Sequence, residues 1–232
     1  MPVKRRLQPP LARSQAAWLA AALLDQTLHR VLGPAGGSTA WPPICSLSLW
    51  LAPDTESAWA QRHRARFAVT ARRQPSGDLG RRMAEILQAE SATGPALVIG
   101  GDCAGLSRAH IIAACRGLRE GLDAVVVPAE DGGYTLLGIA EAPPTLYAEL
   151  FADIPWGGPE VYAHTQRRLD GLGWAWRALP AAWDVDRPAD LARLAVVCDP
   201  PLADAGFLRF DQGPSALHGE PRTDLSRQPS VP

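Results

Sequence analysis

From residue 45 to residue 195, strand-like apolar runs and helix-like runs alternate along the chain, and no other feature constrains the fold as tightly. "CSLSLWLAP" has the period of two of a half-buried strand, and "RARFAVTAR" reads as a second strand. Between them Asp54 can cap a short helix reaching His63. "GDLGRRMAEILQAES" has helical spacing, "GPALVIGG" is a strand, "LSRAHIIAACRGLREG" is a helix, and "LDAVVVPAEDGGYTLLGI" gives two strands around a Gly-Gly turn. A Pro-rich connector follows, then a helix over 159–172, a strand through "WAWRALP" and a helix from "DRPADLARL". Upstream, "SQAAWLAAALLDQTLHRVLG" is a helix that Ser14 can cap and Gly33 can end. Alternation of this kind predicts a mainly parallel, doubly wound sheet. The chain's 232 residues are best accommodated as one α/β core over 1–210. Residues 211–232, rich in Pro, Ser, Gly and charge, carry too little apolar content to offset the entropy of ordering and are expected to form a flexible tail.

The charge balance excludes whole classes of partner. Lys plus Arg number 23 against 24 Asp plus Glu, a net charge of −1, so no global field draws in nucleic acid or an anionic membrane, and phosphate binding has to be local. The longest apolar run, over 16–24, is about half of the roughly 20 residues needed to cross a bilayer. With no signal peptide in view, a soluble cytoplasmic protein is expected. The four cysteines, Cys45, Cys103, Cys115 and Cys198, have neither C-x-x-C pairing nor zinc spacing and read as reduced thiols. His29, His63, His110 and His164 sit on helix-like runs without partners at ligand spacing, and the alternation of Trp174 and Trp176 suits a packed strand face.

Three strand-like runs each finish in carboxylates. Asp102 follows "ALVIGG", where Gly100 and Gly101 let a ligand approach the backbone; Glu130 and Asp131 follow "DAVVVPA"; Asp184 and Asp186 follow "WAWRALP". In open parallel sheets, ligands sit beyond the carboxyl ends of the strands. Each group also has a plainer use: Asp102 as a residue capping or preceding the helix near Ser107, Asp131 as part of an Asp-Gly turn, and Asp186 as an N-cap before Pro188. Hard divalent cations want oxygen ligands, often one or two carboxylates with water and phosphate completing the shell, and Asp102 with Asp186 meets that need for Mg²⁺ or Mn²⁺. Cations for the phosphates are available in Lys4, Arg5 and Arg6, and in Arg81 and Arg82 at a helix start.

"VKRRL", "GDLGRRM", "VIGGDCAGLS", "PAEDGGYTLLGI", "IPWGGPEV" and "WDVDRPADL" resemble, in order and spacing over roughly residues 2–195, the radical-SAM/selenodomain-associated transferase 1 family. The resemblance implies a single-domain, three-layer α/β/α, Rossmann-like GT-A fold, shared with nucleotide-diphospho-sugar transferases and with the guanylyltransferases for 2-phospho-lactate and molybdenum cofactor. It implies a metal-dependent glycosyltransferase moving a sugar from a nucleotide diphosphate donor to a small acceptor, with a homo-oligomer allowed. A nucleotidyltransferase using a nucleoside triphosphate, or an impaired binding protein, are the alternatives. On the same grounds Asp102 and Asp186 would hold the metal, and Lys4, Arg6, Gly77, Asp78, Gly80, Arg81 and Gly101 would approach the donor. Glu130, Gly132, Gly133 and Tyr134 would border the acceptor or sugar pocket, with Asp131 as general base.

The chain departs from the family at several positions. Members begin with an apolar strand leading into Pro-Gly-x-Val-Lys-Thr-Arg-Leu, whereas this sequence starts at "MPVKRRL" with Arg5 in place of Thr. Either the start codon is assigned too late or part of the donor site is lost, and a central strand left out would leave a gap in the sheet or an edge needing cover. "GGDCAGL" lacks the Ser or Thr before Asp and the Pro after it, and "PWGGPEV" has two glycines where hydroxyl residues are common. Each change removes a group able to hydrogen-bond substrate, which keeps weak or altered activity among the alternatives.

Overall fold

The four residues Ala124, Val125, Val126 and Val127 are completely buried, apolar on both faces, and mark the centre of the sheet. The computed structural model describes residues 4–32, 46–52 and 69–197, together with positions 55, 60, 61 and 64. In chain order the elements are α1 (Arg13–Leu32), β1 (Ser48–Leu51), β2 (Thr70–Arg73), α2 (Leu79–Glu90), β3 (Ala96–Ile99), α3 (Arg108–Arg119), β4 (Ala124–Pro128), β5 (Tyr134–Ile139), α4 (Pro144–Leu150), α5 (Val161–Gly171), β6 (Trp176–Ala178) and α6 (Pro188–Val197). Short 3₁₀ turns at Arg5–Leu7 and Ser91–Thr93 complete them. The anticipated helix before His63 falls mostly outside the described residues, as do Gly33, Cys45, Cys198 and the 211–232 tail. The described residues up to Ala192 form one compact unit, and 193–197 fall outside it. No described helix is long and apolar enough to cross a membrane.

The larger sheet has the order β3-β5-β4-β6. β4 and β6 are parallel, while β5 runs antiparallel to both β3 and β4, so three strands point one way and one opposes them. The opposed strand follows from the turn at Gly132 and Gly133, which sends β5 straight back along β4 and inserts it between β3 and β4. β1 and β2 form a separate two-stranded parallel sheet, and among the described residues no pairing joins β1 to β3.

Alternation along β4 divides the core. Ala124 and Val126 face a cluster with Met83 and Leu87 of α2, Tyr147 and Leu150 of α4, and Leu169 of α5. Val125 and Val127 face the other side, against Ile111, Ala114 and Leu118 of α3 and Val31 of α1. Helices therefore cover both faces, giving three layers. Trp174 and Trp176 pack on the first cluster, as their alternation requires.

Two element boundaries differ from expectation. α1 begins at Arg13, and it is the Gln15 side chain that caps, accepting the Ala12 N–H at 2.8 Å, so Ser14 lies inside the helix. The Pro-rich connector contains α4, for which Pro143 and Pro144 supply the start, since a proline in the first turn forfeits no helical hydrogen bond. α3 starts where the sequence puts it, near Ser107, and Ser107 rather than Asp102 is its cap, in a reciprocal box with His110.

Candidate active site

β3, β4 and β6 share a direction, so the segments leaving them emerge at the same edge of the sheet. Asp102 is three residues past β3. Glu130 and Asp131 follow β4. Asp184 and Asp186 follow β6 on a segment that Ala182 ties to Ala129 in a parallel bridge. Backbone hydrogen bonds hold these loops in register: the Val185 N–H donates to the Asp102 carbonyl at 3.2 Å, the Glu130 N–H to the Ala182 carbonyl at 3.1 Å, and the Gly105 N–H to the Trp183 carbonyl at 2.8 Å. Gly105 is required there, because a Cβ would lie 2.3 Å from the Trp183 ring.

The N-terminal segment brings cations to this edge. The Lys4 ammonium donates to the Asp102 carboxylate and to the Val185 carbonyl, and Arg6 donates to Asp186 at 2.6 Å. The Lys4 side chain is only 8% exposed and that of Asp102 36%, whereas Arg6 is 59% exposed. Hydrogen bonding to Asp186 raises the Arg6 guanidinium above its ordinary range, reinforced by the charges of Asp186, Asp131 and Asp184. Burial pushes the Asp184 carboxyl up to about 6, helped by the negative charges of Asp102 and Asp131 and opposed by Lys4. Four aspartates therefore share one field. Asp186 is not the N-cap of α6, since its own N–H and that of Arg187 donate to Asp190 at 2.9 and 2.6 Å, leaving its carboxylate for Arg6.

The Glu130–Tyr134 turn forms one rim. Asp131 accepts the Gly133 N–H at 3.0 Å and is exposed. Gly132 has φ +93°, and a Cβ on it would stand 1.9 Å from the Pro159 carbonyl oxygen, while its own carbonyl accepts the Tyr162 N–H at 2.8 Å. Only glycine fits between the two loops. Tyr134 departs from expectation: its hydroxyl turns inward, 3.7 Å from the Met83 sulfur, and burial pushes its pKa up.

The 77–81 turn reaches this rim indirectly, through Trp156, whose indole lies where a Cβ on Gly80 would be, at 2.6 Å. Asp78 caps α2 by accepting the Arg81 N–H at 2.8 Å, and the Arg81 guanidinium runs along its own helix to Glu85 at 2.8 Å. Asp78, Gly80 and Arg81 line a groove between α2 and α4 with Phe151 and Asp153. Gly77, at φ +111°, gives its carbonyl to Arg82 at 2.9 Å. Gly101 lies against Leu24, which a Cβ would approach to 3.3 Å.

Cys103, beside Asp102, is buried and donates to the Thr135 carbonyl at 3.6 Å; burial with its acidic neighbours holds the thiol protonated. Asp184 is the residue the sequence marks without singling out. The signal was the pair in "WDVD", where completely buried Val185 separates two partly exposed aspartates.

The donor chemistry suits a hard divalent cation. It consists of carboxylate oxygens from separate strand ends, two of which already hold cationic nitrogens. Among the described residues no three His, Cys, Asp or Glu side chains gather into a complete cage, and Mg²⁺ needs none when phosphate and water fill the remaining positions.

Comparison with known proteins agrees with this architecture. The family model DUF2064, described as uncharacterized proteins conserved in bacteria, matches residues 39–158, a span that includes Asp102 and the 130–134 turn. A crystal structure of a Desulfovibrio desulfuricans G20 protein, provisionally described as a nucleotide-diphospho-sugar transferase, superposes with a TM-score of 0.67 at 23% identity, over 89% of this chain and 84% of that one. That likeness establishes the fold. A CMP:2-keto-3-deoxy-manno-octonic acid synthetase complexed with CTP aligns more distantly, with a TM-score of 0.44 at 13% identity over 74% of this chain and 85% of that one. No curated protein sequence matches.

Proposed function

The chain belongs to the DUF2064 family, and from that premise and its carboxylate cluster we propose that it is a transferase acting on a nucleotide-diphospho-sugar, of the radical-SAM/selenodomain-associated transferase 1 kind. The observation that carries the reading is the convergence of Asp102, Asp131, Asp184 and Asp186, with Lys4 and Arg6, at one carboxyl edge of a three-layer α/β/α sheet. The fold shared with the Desulfovibrio protein supports a nucleotide-linked sugar as donor.

In this reading Lys4 and Arg6 leave their carboxylates to bind the donor diphosphate. Asp102 and Asp186 would hold the divalent cation, which when bound neutralises the charge gathering on the departing diphosphate. Asp131, exposed on the rim, takes the proton of the acceptor hydroxyl as its oxygen attacks the anomeric carbon. The bond from that carbon to the β-phosphate oxygen breaks and its electron pair leaves with the nucleoside diphosphate, so a single displacement inverts the centre. Gly132 and Pro159 keep the rim loops in contact.

Thermal unfolding with Mg²⁺ or Mn²⁺ against a panel of nucleotide sugars and nucleoside triphosphates tests the proposal. A ligand at about 100 times its Kd adds roughly 2.7 kcal/mol, a shift of about 5–10 °C at this chain length. The expected result is a metal-dependent rise with one nucleotide sugar that Asp102→Asn abolishes. A rise confined to triphosphates would assign nucleotidyl transfer instead, and no rise with any ligand would overturn transferase function.

A further inference from the structure

Lys4 is the only lysine in the sequence; the other 22 members of the 23 basic Lys and Arg residues are arginines. It stands at the centre of the acidic cluster, the more buried of the two cations there, with its ammonium bridging a carboxylate oxygen of Asp102 and the main-chain oxygen of Val185. A carboxylate and a backbone carbonyl are also the oxygen donors that hard metal ions take, and a compact ammonium, unlike a planar guanidinium, presents its charge as a point. The Lys4 backbone is left-handed, φ 51° and ψ 48°, a region that non-glycine residues occupy at the cost of strain and only when surrounding contacts hold them.

We propose that Lys4 is the resident cation of this site: its ammonium holds Asp102 in the free protein and must leave before a divalent cation can bind there. Two cations cannot share one carboxylate oxygen without strong repulsion, so metal and ammonium compete. Displaced Lys4 is then released from its strained anchorage and available to the phosphates of an incoming donor. The inference rests on the transferase reading for the identity of that donor alone; the exchange itself requires only the metal.

The experiment is a Mn²⁺ titration of the full chain without nucleotide, read from the electron paramagnetic resonance signal of free Mn²⁺. Lys4→Met should bind Mn²⁺ about tenfold tighter than wild type or better, the effect of removing one like charge at contact range. Lys4→Arg, which keeps the charge, should remain near wild type, and Asp102→Asn in the Lys4→Met background should remove the gain. Mn²⁺ affinity in Lys4→Met equal to or below wild type overturns the proposal. A second measurement needs no variant: acylation of the single lysine by N-hydroxysuccinimidyl acetate, followed by peptide mass mapping, should quicken several-fold on adding Mn²⁺, and an unchanged rate overturns it equally. Both readouts use Mn²⁺ alone, so a failure of every nucleotide sugar to bind would defeat the transferase reading without touching this one.

Discussion

His110 shows how one side chain ties local structure to solution conditions. Its Nδ1 accepts the Ser107 N–H at 3.0 Å, which requires the neutral ring, and burial lowers its pKa. The sign follows from linkage: above about pH 6.5 the ring is neutral in folded and unfolded chains alike, whereas below it the unfolded chain takes up the proton first. Stability should therefore be fully present above that pH and fall as pH drops toward the folded pKa. Comparing Tm at pH 7.5 and 5.0, wild type should lose about 1 °C more than His110→Gln, a small effect because the ring is partly solvated. Equal losses would remove the box from the pH response. The sequence placed His110 on a helix without metal partners, and its role in the cap was readable only once Ser107 was seen to start that helix.

At the scale of elements, α2 illustrates a residue whose local role is settled and whose proposed substrate role is a separate matter. Asp78 accepts the Arg81 N–H and sits beside the positive end of the helix, so Asp78→Ala should destabilise the chain by about 1 kcal/mol, or about 2–4 °C in Tm. Differential scanning calorimetry checks this, and an unchanged Tm would show the cap to be redundant. The helices α2, α3 and α5 and the strands β3, β4 and β5 were all legible in the pattern of apolar residues. α4 was not, because its seven residues begin among prolines that read as a connector. The reversed strand β5 was legible as one arm of a turn, though its insertion between β3 and β4 was not, since pairing partners distant in sequence leave no local trace.

For the whole molecule, the division into a four-stranded and a two-stranded sheet predicts uneven stability. Most of β4 and of β5 is fully buried, whereas β1 is half-buried and β2 is largely exposed. In native-state hydrogen exchange followed by mass spectrometry, amides of β4 and β5 should be the slowest, with those of β1 and β2 faster by on the order of tenfold or more. Uniform protection across both sheets would contradict the division. Among the described residues no pairing joins β1 to β3, so the two sheets are held together by no shared strand hydrogen bonds. By itself the sequence determined the alternating elements, the apolar two-faced β4 and the carboxylates at three strand ends, because periodicity and turn chemistry are local and each run carries its own signal. Tertiary structure alone decided that Lys4 meets Asp102, that Arg6 meets Asp186, that Asp184 is half-buried in the same field and that Gly132 must clear Pro159. These contacts join residues up to 180 positions apart, and only the packing of the sheet brings them within reach of one another.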